Sequence, residues 1–303
     1  MKNFAQSILV TVLFASSVAA QNPSFTGIVN PASNLPPGTP NFGIAQGAIF
    51  DIYGSNLGPA TGVYSGGSTL PTTAGLAGTT VTVTQGNTTL TAPLLYVAAG
   101  QVVAVMPSNA ATGAETVTVT YNGKSGSSTA AVVASAFGIS TLTGSGYGGA
   151  VVTFGDYKVV LPTNSAKPKD SIVIWGTGLG AIAGSDASPA AGGTMNVPIQ
   201  VFVGGLEAAV AYKGRTPGAI GLDQINITVP DNVPLGCDVG IVVQTNTPAG
   251  VPVRVSNAPT IAIAANGGTC TDPVKTVPQE AIPTLLSKDN LRIAIVQIEE
   301  LVG

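Results

Sequence analysis

Thr79-Thr-Val-Thr-Val-Thr84 alternates polar and apolar side chains at every step, the period-2 pattern of a strand with one buried face. Short apolar runs of similar length recur along the chain. In the first half they predict strands near 48–53, 79–84, 89–97, 102–106, 115–121 and 128–134. In the second half they predict strands at 198–203, 208–212, 224–229, 238–244 and 251–256. Asn122-Gly123 stands between two such runs, the dipeptide that most favours a tight hairpin. Two further runs, 150–154 and 157–161, predict a hairpin that belongs to the second half and stiffens the connection between halves. Helix is expected only at the N-terminus and near 279–287, where Pro283 weakens it. Leu291 to Ile298 reads as a last strand, apolar on both faces. Evenly spaced short strands without intervening helices predict an all-β chain of antiparallel sandwiches.

The pattern repeats. Ile52, Gly54, Leu57 and Gly58 match Ile174, Gly176, Leu179 and Gly180, with an aromatic (Tyr53 or Trp175) before the first glycine. Gln101-Val-Val-Ala-Val-Met-Pro107 falls on Gln224-Ile-Asn-Ile-Thr-Val-Pro230, and Gly113 falls on Gly236, at nearly the same spacing. Anchors in one order at one spacing imply a tandem of two similar modules. The expected organisation is a leader at 1–20, modules at 21–140 and 141–265, and a C-terminal extension at 266–303.

These anchors resemble the immunoglobulin-like IPT/TIG fold: a strand, an aromatic-Gly-(Ser/Thr)-x-Leu-Gly turn, then a strand ending in Met-Pro or Val-Pro. More narrowly, the chain is similar to the secreted Solibacter-type C-terminal domain of Acidobacteria. The likeness is carried by Val29-Asn-Pro-Ala-Ser33, Ile52-Tyr-Gly-Ser-Asn-Leu-Gly58, Ala92-Pro-Leu-Leu-Tyr96 and Gln101 to Pro107. In the second half Gly146 to Phe154, Ile174 to Gly180 and Gln224 to Pro230 carry it. It spans roughly residues 26–265 and fits the final segment less well. The resemblance implies tandem immunoglobulin-like β-sandwiches outside the cell, often appended to other domains, with no known chemistry.

Lys2, an apolar stretch from Ile8 to Ala15 and small residues at Val18 and Ala20 have the form of a secretory signal, too short to span a membrane. No later stretch reaches transmembrane length, so no membrane span is expected after cleavage, and the location is secreted or cell-surface. The exported portion contains Cys237 and Cys270. An even count in an oxidising compartment favours a disulfide between them over two free thiols. Its loop of about 33 residues would stabilise the fold by roughly 3–4 kcal/mol.

Charge narrows the partners. Only 8% of residues are charged, the net charge is −3, and no Lys/Arg run offers a footprint for nucleic acid. Zero histidines remove His-based triads and the usual zinc sets, and the few acids that could pair for glycoside hydrolysis are scattered, so no enzyme, cofactor or metal is expected. Gly176-Thr-Gly-Leu-Gly-Ala181 has the outline of a dinucleotide turn, but Gly184 and Pro189 break the helix it needs, and Asn56 replaces the second glycine in the other copy. Gly144-Ser-Gly-Tyr-Gly-Gly149 runs into a strand, and Gly123-Lys124-Ser125 lacks the leading glycine of a P-loop. Glu115 and Asp238, matched by the repeat, are expected as solvated turn acids. Trp175 is the sole tryptophan and, with Tyr53, the candidate ligand-stacking residue; the alternative is that it packs under a loop or the neighbouring module. The expected role is a non-catalytic structural or adhesive protein at the cell surface. Its partner would be an extracellular protein or polysaccharide, bound by sandwich-end loops or strand edges. The alternatives are a carbohydrate-binding module or an accessory part of a larger secreted enzyme.

Overall fold

The computed structural model describes residues 21–245 and 253–271. The leader at 1–20, the helix expected at 279–287 and the strand expected at 291–298 lie outside these residues. Most of the 266–303 extension and the start of the 251–256 strand do so too. Among the described residues every regular element is a strand, and no helix is long and apolar enough to cross a membrane.

The first ten strands are β1 (Ser24–Val29), β2 (Ile44–Ala45), β3 (Ile49–Ser55), β4 (Val63–Tyr64), β5 (Thr79–Gln85), β6 (Thr88–Thr91), β7 (Leu94–Val97), β8 (Gln101–Val105), β9 (Gly113–Tyr121) and β10 (Lys124–Val133). They form two five-stranded sheets, β1-β3-β8-β7-β4 and β2-β10-β9-β5-β6. Pairing is antiparallel except for β2, which runs parallel to β10. This is the strand order of an immunoglobulin-like sandwich, A-B-E-D facing G-F-C-C′. The Thr/Val alternation of β5 does what its period requires: Val81 and Val83 join Val117 and Val119 against Phe50, Ile52, Leu94 and Val102 in the core. Asn122 and Gly123, at φ 47° and 76°, close the β9–β10 hairpin in the left-handed region that a type I′ turn demands.

The second sandwich contains β11 (Gly138–Ile139), β12 (Val152–Phe154), β13 (Ser171–Thr177), β14 (Ile199–Val203), β15 (Leu206–Arg215), β16 (Asp223–Thr228), β17 (Gly236–Thr245), β18 (Arg254–Val255) and β19 (Thr260–Ile263). Their order is β11-β13-β16-β15-β14-β17-β18, with β12 on β13 and β19 on β17. A separate core, including Ile139, Ile172, Ile174, Val201, Ile225, Ile227, Ile241 and Val243, fills it. The long β15 pairs with β14 at its start and with β16 at its end, so one strand passes between the two layers. The corresponding path in the first sandwich is broken into β6 and β7. The single strand expected at 89–97 is therefore corrected: Ala92-Pro93 interrupts it, because Pro93 has no N–H to offer a ladder.

The two sandwiches interlock. Asn257 is 8% exposed; its side chain accepts from Ile139 N–H (2.8 Å) and donates to the carbonyls of Ala32 (3.3 Å), Ile139 (2.9 Å) and Gly146 (2.8 Å). Asn30, 3% exposed, donates to the carbonyls of Ala136 (3.3 Å) and Thr177 (3.1 Å). At the other side of the junction Asp186 accepts from Ser108 N–H (2.7 Å) and Oγ (2.6 Å), and Leu70 N–H donates to Ala187 (2.7 Å). Leu70, Val105, Ala187, Ile49, Leu95 and Ile220 form a small apolar cluster between them. The segment after β12 folds back, with Phe154 N–H bonded to Lys158 and Val160 N–H to Val152, as the hairpin pattern at 150–161 predicts.

Candidate functional site

Period 2 on β3 buries Phe50 and Ile52 and turns Asp51 and Tyr53 to the opposite face of the sheet. β8 brings Gln101 opposite Tyr53 and Val103 opposite Asp51. β7 sets Tyr96 beside Val103, and β4 sets Tyr64 beside Tyr96. One sheet face thus gathers three tyrosines, a glutamine and a carboxylate from four strands.

Asp51 organises this face. Its Oδ2 accepts from Tyr53 Oη (2.9 Å) and Gln101 Nε2 (2.7 Å), while its Oδ1, buried like the rest of the group, has no partner. Burial pushes the carboxyl above its ordinary 3.8, and the two hydrogen bonds oppose that only in part. Tyr53 is pushed up to about 12 by burial, helped by the neighbouring carboxylate. Beside the pair lies an open groove of about 360 Å³ lined by Tyr64, Ser65, Leu95, Tyr96, Gln101 and Val103. The rings of Tyr64 and Tyr96 are 4.5 Å apart at 45°, and Tyr64 is 77% exposed.

The second sandwich repeats the set. Trp175 stands at the place of Tyr53, Gln224 opposite it, and Tyr212 beside Asn226 on the next strand. Here the groups are engaged internally. Trp175 Nε1 donates to Thr153 Oγ1 (3.0 Å), and its ring lies under Tyr157, centroids 6.2 Å apart and 27° from parallel. The cover comes from the hairpin upstream rather than the loop that follows. Tyr157 itself has φ 65°, a costly region for a side-chain-bearing residue, and is held there over the indole. Tyr212 Oη donates to Arg215 O (2.8 Å) and contacts Gly193. Gln224 Nε2 donates to Asn226 Oδ1 (3.2 Å) instead of to an acid, since Val173 replaces Asp51. Of the two stacking candidates, then, Trp175 is half-buried and capped, and Tyr53 is 37% exposed with its hydroxyl committed. Tyr64 and Tyr157, which complete the two faces, come from distant segments with no repeat signal of their own.

The glycine-rich turn has a structural occupation. Asp223 Oδ2 accepts the N–H groups of both Gly178 and Leu179 at 2.8 Å, the donors a phosphate would require. Asp223 in turn lies 3.1 Å from Arg215 Nη1, and both are buried. Burial nevertheless wins over Arg215 and the two N–H groups, raising the carboxyl to about 6. Gly54 and Gly176 are fixed by close approach: a Cβ would fall 1.8 Å from Ser24 O in one and 2.1 Å from Gly138 O in the other. A depression of about 520 Å³ over residues 181–197 reaches Arg215, whose charge is already met by Asp223 and Gly180 O (3.3 Å).

Glu115 corrects the expectation of a solvated acid. It is 2% exposed at the end of the first core, with Oε1 unpaired and its pKa raised by burial. Asp238, its repeat partner, is exposed and accepts from Thr260 Oγ1 (3.2 Å). Cys237 and Cys270 form a disulfide that ties β17 to the segment beyond β19.

No family model matches the chain, and no curated protein matches it. Among solved structures, a three-Ig structure of titin is similar at 12% identity and TM-score 0.21, over 80% of this chain and 66% of that one. A titin A168169 structure is 11% identical with TM-score 0.20, over 80% and 100% of the two chains. Tandem Ig repeats of Dlar are 8% identical with TM-score 0.18, over 73% and 92%. The immunoglobulin-like assignment rests on strand order and register within the molecule.

Proposed function

We propose that this chain is a secreted, non-catalytic pair of immunoglobulin-like modules of the IPT/TIG kind. In this reading it belongs with the Solibacter-type domains and works at the cell surface in a structural or adhesive role. The observation that carries the reading is the junction. Asn30, Asn257, Asp186 and Ser108 spend buried or half-buried hydrogen bonds on joining the sandwiches, which makes them one stiff unit rather than beads on a tether. A stiff unit transmits position and load, as a surface scaffold must. The disulfide and the signal-like N-terminus support an oxidising, extracytoplasmic setting. Cell fractionation with N-terminal sequencing tests it: the mature chain should begin at Gln21, be digestible by protease added to intact cells, and contain no free thiol. A cytosolic chain retaining Met1 and two thiols would end the proposal. The carbohydrate-binding reading is favoured by a different observation, the open tyrosine face of the first sandwich.

A further inference from the structure

We infer that the open face of the first sandwich is a groove for a neutral polysaccharide. Tyr64 and Tyr96 form its stacking surface, Gln101 is its hydrogen-bonding group, and Asp51 is the residue that positions Gln101. The inference rests on the extracytoplasmic reading only for access to such a chain.

Four observations lead there. First, the ring pair is presented outward: Tyr64 is 77% exposed against a half-buried Tyr96, and neither hydroxyl has a protein partner among the described residues. Flat aromatic faces with free polar edges match the alternating C–H and O–H faces of a pyranose. Second, Gln101 is held by Asp51, so its Nε2 is spent on the carboxylate and its Oε1 is left to accept a hydroxyl. Asp51 is 4% exposed with Oδ1 unpartnered, a desolvated group kept at the edge of a groove where the sandwich core has no use for it. Third, no Lys or Arg lines the groove, and Asp51 lies behind it, which disfavours uronate or sulfate-bearing chains. Its volume of about 360 Å³ suits one or two sugar rings and is small for a protein interface. Fourth, the second sandwich carries the same aromatic, Gln and Tyr but fills their valences from within. In the first, Asp51 takes the Tyr53 hydroxyl and Gln101 Nε2, and Gln101 Oε1 and the Tyr96 ring stay open to the groove.

The test is an array of neutral glucans, xylans and mannans, with uronate- and sulfate-bearing polysaccharides and glycoprotein glycans as separate arms. Isothermal titration with the best oligosaccharide would follow. Tyr64→Ala is expected to weaken binding roughly tenfold or more. Gln101→Ala should do likewise, while Trp175→Ala binds as the unaltered protein does. Asp51→Leu, which frees Gln101, should lose binding that Asp51→Asn, which still offers an acceptor, retains. Unchanged melting of Tyr64→Ala keeps its result interpretable should an Asp51 variant fail to fold. Retention of no neutral polysaccharide would overturn the inference, as would retention of anionic chains or glycoprotein glycans alone, or equal affinity in Tyr64→Ala. Each of those failures leaves the surface-scaffold reading standing, because that is judged by fractionation.

Discussion

In the first sandwich the N–H of Leu57 is capped by the carbonyl of Ala99 at 3.0 Å; in the second the N–H of Leu179 is capped by the carboxylate of Asp223 at 2.8 Å. The turns are copies, yet one is closed by backbone and the other by a buried charge that needs Arg215 beside it. The exposed faces differ in the same sense. Gln101 and Tyr96 line an open groove, whereas Trp175, Gln224 and Tyr212 are tied to Thr153, Asn226 and the 190s loop. The repeat therefore preserves which side chains face outward and lets the loops decide whether they are available. Strand positions carry the module; the loops and hairpins that pack on them carry its specialisation.

The sharpest way to break this contrast is Arg215→Met at pH 8. It leaves Asp223 buried without its cation and should cost about 3–5 kcal/mol in urea unfolding, whereas the first sandwich offers no equivalent charge to strand. A loss under about 1 kcal/mol would make the two turns energetically alike. Removing the cross-link unique to the second sandwich, by Cys270→Ser, should cost about 3–4 kcal/mol on the chain-entropy model, measured the same way. The pH dependence comes next. Asp223 titrates at about 6 in the fold against an ordinary 3.8, so the unfolded chain gives up this proton first. The stability it contributes is full below about pH 4 and is lost as pH rises through about 6, on the order of 2–3 kcal/mol. The raised values of Asp51 and Glu115 act in the same direction. Unfolding curves from pH 4 to 7 should show this slope, and Asp223→Asn should flatten most of it; a slope of opposite sign contradicts the account. The smallest effect concerns the turn itself. Asn56 holds φ 58° where the second copy has Gly178 at 109°. Asn56→Ala should cost about 1–2 kcal/mol and Asn56→Gly almost nothing; equal costs would mean that the side chain, not the backbone angle, is what matters there.

Much of the scaffold is legible in the residues. The alternation in β5, the Asn-Gly hairpin and the repeated glycines each state a local requirement that the fold then meets. Two-residue strands such as β2 and β11 leave no periodicity to read. The broken crossing at Pro93 shows one residue's missing donor overriding an otherwise strand-like run. The site is legible by halves. Tyr53, Trp175 and the two glutamines stand out as repeat anchors, but Tyr64 and Tyr157 reach them only through pairing and loop folding. Matching Tyr96 with Tyr212 across their bulged strands is the signal that points to the shared face.

The disulfide decides how tension would travel. β18 and β19 follow β17 in the chain and pair with it, so a pull on the chain beyond residue 271 would ordinarily peel them off in sequence. With Cys270 bonded to Cys237, that pull enters at the start of β17 instead. It is then resisted by a strand that is paired with β14 on one side and packed into the core by Ile241 and Val243. The covalent tie takes β18 and β19 out of the load path, so that tension is met first by a strand of the core.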